Sequence, residues 1–112
     1  MNNRPLRAPV SLPAYIDIGN QHLAVRLADL SLHGARIEGG LPYVKPGREV
    51  IVRFRLLGAT VEARAEIRHV GHKHHVGLRF LRLPYEASMA IHSFLTAGGA
   101  AEASIDPARA LA

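Results

Sequence analysis

The sequence predicts a mainly β protein: a six-stranded antiparallel barrel followed by one C-terminal α-helix. Short runs of alternating apolar and polar residues recur between residues 10 and 80, the pattern of half-buried strands. Turn signals built on Gly, Pro, Asn and Asp separate them at short intervals, and many short strands of that kind usually close into a small barrel. After Pro84 the apolar period changes from two to the helical 3.6.

The first strand is read from Val10, Leu12, Ala14, Ile16 and Ile18, with Pro13 marking an edge or bulge. Gly19-Asn20 turns the chain into a second strand carrying Leu23, Val25 and Leu27. A third, short strand spans Ala35 to Glu38 and closes at Gly39-Gly40. The segment Leu41-Pro42-Tyr43-Val44-Lys45-Pro46-Gly47 reads as a loop. Val50, Val52, Phe54 and Leu56 share one face of a fourth strand, and Leu57-Gly58-Ala59 turns it back. Val61, Ala63, Ala65 and Ile67 alternate cleanly with charged residues, and Val76, Leu78 and Phe80 form the last strand. Ala87, Ala90, Ile91 and Phe94 then fall at i, i+3, i+4 and i+7, between Pro84 and Gly98-Gly99. The organisation expected is an arginine-bearing leading segment at 1–9, one barrel-plus-helix domain at 10–96 and an Ala-rich tail at 97–112.

With 112 residues and 48% hydrophobic content, the chain can build one domain with a modest core. It has no cysteine, so disulfides and thiolate chemistry are excluded and a reducing cytoplasm fits. No apolar run is long enough for a membrane-spanning helix, and no apolar segment follows the charged first residues as a secretory leader requires. The 14 basic and 9 acidic residues leave a net charge of +5, which favours an anionic partner.

One stretch carries most of the chemical information. Asp29-Leu30-Ser31-Leu32-His33-Gly34 reads D-x-S-x-x-G and joins the second strand to the third. Asp accepts hydrogen bonds, Ser donates and accepts, and Gly takes a positive φ or lets a ligand approach the backbone. Arg4 and Arg7 lie upstream. A carboxylate turn and a guanidinium pair together suit an anionic, donor-rich ligand such as a guanine nucleotide.

These features resemble the PilZ domain, a bacterial six-stranded barrel with a C-terminal helix. The resemblance rests on Arg4-Pro5-Leu6-Arg7-Ala8-Pro9-Val10, on the D-x-S-x-x-G turn with Ala35-Arg36-Ile37, and on Val76-Gly77-Leu78-Arg79-Phe80 before the helix. It implies a receptor for cyclic di-GMP, acting on a protein partner in motility, biofilm or polysaccharide control, with Arg4, Arg7, Asp29, Ser31 and Gly34 as ligand-binding residues. The family's arginine motif is R-x-x-x-R, and four residues before Arg7 stands Asn3. Either Arg4 serves from a shifted position, or the first arginine is missing and the domain acts through protein contacts without the messenger. A basic barrel binding nucleic acid is a third reading. The aromatic pattern of an RNA-recognition sheet is absent, however, and Phe54 and Phe80 fall on the inward phase.

Arg36 and Arg79 read as outward, solvated residues that could flank the site. His69, His72, His74 and His75 cluster around a hairpin turn, but with Lys73 among them and no cysteine or carboxylate they are not expected to hold a metal. No nucleophile elbow, paired-carboxylate motif, phosphate-cradling loop or H-E-x-x-H appears, so the expectation is a binding protein and not an enzyme.

Overall fold

Six strands and a helix follow the order the alternation predicts. They are β1 (Arg7–Ile18), β2 (Gln21–Ser31), β3 (Gly34–Glu38), β4 (Glu49–Leu56), β5 (Ala59–Val70), β6 (Val76–Arg82) and α1 (Tyr85–Thr96). The computed structural model describes residues 7–39, 41, 44–71 and 75–97. All strand pairs are antiparallel, and the sheet closes on itself in the order β1-β2-β3-β6-β5-β4. Closure gives each strand a neighbour on both sides. The β3-to-β4 connection crosses between strands that are not neighbours, which places β6 beside β3.

The inward positions are those the period of two selects. Ile16, Leu27, Ile37, Val52, Val61, Ile67 and Val76 are fully buried. Large and small residues face each other across the strands: Ala14 pairs with Phe54, Ala65 with Phe80, and Val52 with Ala63. That alternation lets side chains from a narrow barrel interdigitate without voids. Leu41, from the expected loop, is buried in the same core. Helix α1 packs against β5 and β4 and adds Ala87, Ile91 and Phe94 to that core. Pro84 stands just outside the helix, and its carbonyl accepts the Ser88 N–H at 2.9 Å to start the first turn.

One departure from the expected boundaries matters for function. Strand β1 begins at Arg7, which pairs with Ser31, so residues 7–9 belong to the barrel wall and not to the leading segment. Pairing of β1 with β4 starts only at Ala14, one residue past Pro13, so the first half of β1 is held by β2 alone. The proline therefore sits where a missing N–H costs no ladder bond to β4. The β4–β5 hairpin turns through Leu57 (φ 52) and Gly58 (φ 79), both left-handed, as a two-residue loop of this hand requires.

Outside the barrel, an ion-pair cluster ties four adjacent strands together. Asp17 on β1 accepts a 2.5 Å hydrogen bond from His22 Nδ1 on β2 and another from Arg53 on β4, whose Nε donates to Glu62 on β5 at 2.8 Å. Partial burial pushes the Asp17 carboxyl up, but the hydrogen bonds from His22 and Arg53 and the Arg53 charge outweigh it and hold the group below its ordinary value. A depressed carboxylate contributes stability that is complete above its unfolded value and is lost as pH falls through the folded one. Asp17→Asn should therefore unfold at lower urea concentration than the parent at pH 7. The gap between the two midpoints should close below roughly pH 4. A gap independent of pH would show that the carboxylate charge is not what the cluster uses.

Candidate functional site

A cleft of about 390 Å³ lies on the barrel wall where β2, β3, β6 and β5 meet, with Arg7 of β1 at its edge. Its floor follows from two glycines on outward positions of neighbouring strands. Gly34 pairs with Arg79, and Gly77 pairs with Arg36 on one side and His69 on the other. Where side chains would normally stand, there is only backbone. The walls are long and basic: Arg7, Arg36, Arg68 and Arg79 line the cleft, together with His33, His69 and His75.

Asp29 is the carboxylate of this cleft, and a bulge puts it there. Leu27 pairs with Ile37 but Asp29 pairs with Arg36, so Ala28 is an extra residue in β2 relative to β3. A strict period of two from Val25 and Leu27 would turn position 29 inward. The bulge resets the phase, so that Leu30 is buried and Asp29 faces out, its side chain 22% exposed. Arg7 Nη1 lies 3.7 Å from Asp29 Oδ2, an ion pair too long to be a hydrogen bond, which leaves both groups with free hydrogen-bonding capacity.

Ser31 and Gly34 hold the turn in shape. Ser31 is buried, and its Oγ accepts the N–H groups of His33 (3.1 Å) and Gly34 (3.2 Å) while donating to the Gly34 carbonyl (3.4 Å). One hydroxyl has one donor and two acceptor sites, so the turn engages all of them. Gly34 is not among the glycines with positive φ. Its constraint is steric: a Cβ there would stand 1.9 Å from the Leu78 carbonyl oxygen of β6. Beside it, the Phe80 N–H donates to the His33 carbonyl at 2.8 Å and ties β6 to the turn.

Of the residues selected from sequence, the structure brings Arg7, Asp29, Ser31 and Gly34 into one cleft. Arg4 lies outside the described residues, as do Asn3, His72 and His74. Arg36 and Arg79, read as outward, solvated residues that could flank the site, are walls of the cleft. His69 and His75, weighed only as metal ligands and not expected to hold a metal, line the cleft as well. The signal that could have found Arg36 and Arg79 is their spacing from Gly34 and Gly77. An outward glycine between outward arginines leaves a basic-walled depression once β3 and β6 are known to be neighbours.

A family model described as the PilZ domain matches residues 2–97, most of the chain. The chain belongs to the PilZ domain family. Solved structures give the same fold at low identity. The inhibitor of motility MotI/DgrA from Bacillus subtilis superposes with a TM-score of 0.74 at 14% identity, over 87% of this chain and 51% of that one. The PilZ domain of YcgR from Escherichia coli, solved with cyclic di-GMP, superposes at 0.69 with 16% identity, over 87% of this chain and 91% of that one. PlzA from Borreliella burgdorferi, also in complex with cyclic di-GMP, superposes at 0.60 with 19% identity, over 74% of this chain and 32% of that one. The chain thus spans about half the length of the motility inhibitor and a third of PlzA. No curated protein sequence matches it.

The local geometry makes a prediction about the turn. Ser31→Ala strands two partly buried N–H groups and should cost about 1–2 kcal/mol of stability. Gly34→Ala must push β3 from β6, and should cost about 3 kcal/mol or more, the upper end for overpacked sites. Denaturant melts of both variants check this. A Gly34→Ala protein as stable as the parent would mean that the close approach to Leu78 is not a real constraint.

Proposed function

We propose that this PilZ domain is a receptor for cyclic di-GMP that passes its bound state to a protein partner. The observation that carries the reading is the pairing of Arg7 and Asp29, from neighbouring strands, in one cleft rimmed by three further arginines. The ligand has two phosphates and two guanines. Guanine offers acceptors O6 and N7 to a guanidinium fork, and N1–H and N2–H donors to a carboxylate. Arg7 engages a guanine edge or phosphate, Asp29 takes guanine donors, and Arg36 and Arg79 neutralise phosphate. Ser31 and Gly34 act one step back, by holding Asp29 and the cleft floor in place. Arg4 joins from the leading segment when ligand is bound, filling the role that Asn3 cannot.

The cleft volume falls within the about 300–1,000 Å³ typical of small-molecule sites. Two proteins of the same fold were solved with this nucleotide, and a third is named as an inhibitor of motility. These support a messenger-dependent adaptor over an enzyme. On this reading the receptor works in the bacterial cytoplasm and hands its signal on through contacts with another protein.

Calorimetric titration with cyclic di-GMP should show micromolar or tighter binding. No heat, and no shift of melting temperature at saturating nucleotide, would reject the reading in favour of a ligand-independent adaptor. Arg7→Ala and Asp29→Ala should each weaken binding about ten- to a hundredfold, from the loss of one charge-assisted hydrogen bond or more. Neither should change the stability of the free protein appreciably, because exposed ion pairs contribute about 0–1 kcal/mol and the Arg7 side chain is 67% exposed.

A further inference from the structure

We propose that His33, His69 and His75 form a proton-linked wall of the cleft that binds the phosphates of the ligand, so that cyclic di-GMP binding takes up protons. The inference rests on the cleft being the nucleotide site. Three observations carry it.

The three imidazoles come from separate parts of the chain and arrive at one place. His33 sits on the β2–β3 turn, His69 near the end of β5, and His75 at the entry to β6, and all line the same cleft. Gly77, in register with His69, has no side chain to stand between that ring and the floor.

None of these rings has a partner among the described residues. His22 is the contrast: its Nδ1 is held at 2.5 Å by the Asp17 carboxylate, as expected of a histidine used for structure. Around the cleft the acids are already engaged. Asp29 on β2 faces Arg7 of β1, Glu38 pairs with Arg36 on β3 at 3.6 Å, and Glu66 pairs with Arg68 on β5 at 3.0 Å and lies in register with Arg79 of β6. No ion pair or hydrogen bond joins these three rings to a carboxylate among the described residues.

The charge balance then sets the sign. In the empty cleft, four guanidiniums stand against the three carboxylates of Asp29, Glu38 and Glu66, which leaves a net positive charge. A ligand bearing two phosphates reverses the local field and offers acceptors to imidazolium N–H groups. Imidazole is the side chain whose charge changes near neutral pH. The bound state therefore holds more protons than the free one, and by linkage affinity rises as pH falls.

Calorimetry with cyclic di-GMP at pH 7, in MOPS and in Tris, reads proton uptake directly, since the two buffers differ in ionisation heat. The observed heat should differ between buffers in the direction of uptake. Affinity should be about three- to tenfold tighter at pH 6 than at pH 8. The triple variant His33→Gln, His69→Gln, His75→Gln cannot carry the charge. It should lose both the buffer dependence and the pH slope. His22→Gln should keep the full slope. Melting curves of the free proteins establish that each variant is folded. Tight binding with buffer-independent heat would overturn this inference and leave the cyclic di-GMP reading standing, as would a triple variant that keeps the slope. Absence of binding at every pH would overturn both.

Discussion

A methyl group on Gly34 would stand 1.9 Å from the Leu78 carbonyl oxygen, so β3 and β6 can meet at this point only with a hydrogen there. Those two strands are far apart in the chain, and their pairing joins the β1-β2-β3 half of the barrel to the β4-β5-β6 half. The same contact sets the floor of the cleft. It lays Gly34 beside Arg79 and Gly77 beside Arg36, and brings the wall of β5, with Arg68 and His69, across from Asp29. The β2–β3 turn is locked to it from both sides: Ser31 gathers the turn's N–H groups, and Phe80 of β6 donates to the His33 carbonyl. A residue needed for barrel closure is thereby also a residue needed for the shape of the site.

Charge is distributed with the same asymmetry. The chain carries a net charge of +5. Around Asp17, side chains from four strands pair in one tight cluster, and Arg64 pairs with Glu49 on β5 and β4 at 2.6 Å. On the cleft face, four arginines surround Asp29, and the carboxylates next to them are tied to Arg36 and Arg68. On the cleft face the four arginines outnumber the three carboxylates beside them by one. A dianion with hydrogen-bond donors at its edges fits that deficit and the lone carboxylate within it.

The apolar alternation of β1, β4 and β5 made the barrel legible, because inward positions of a small closed sheet must be filled and outward ones solvated. Phe54, Phe80 and Phe94 were readable as core for that reason, and all three are buried. The D-x-S-x-x-G turn was readable as a site, but its parts were not readable as to role. Ser31 looks available in sequence, yet its hydroxyl is engaged within the turn. Gly34 suggests backbone freedom, yet it answers a steric demand from β6. Arg36 and Arg79 were legible only as outward residues that could flank the site, and His69 not as part of it, since an outward residue on a strand looks the same whether it faces bulk water or a cleft.

What the sequence determined by itself is local: the strand and helix periods, the turns, the inward set and the placing of an acidic bend between the second strand and the third. These depend on neighbours within a few residues, where the pleat and the helical pitch dictate which side chains share a face. Only the tertiary structure decided that β3 lies against β6, that the Ala28 bulge turns Asp29 outward and that arginines from four strands ring one cleft. Those outcomes depend on register between segments distant in the chain. A one-residue shift of register exchanges the two faces of a strand, and no local pattern records which register closure selects.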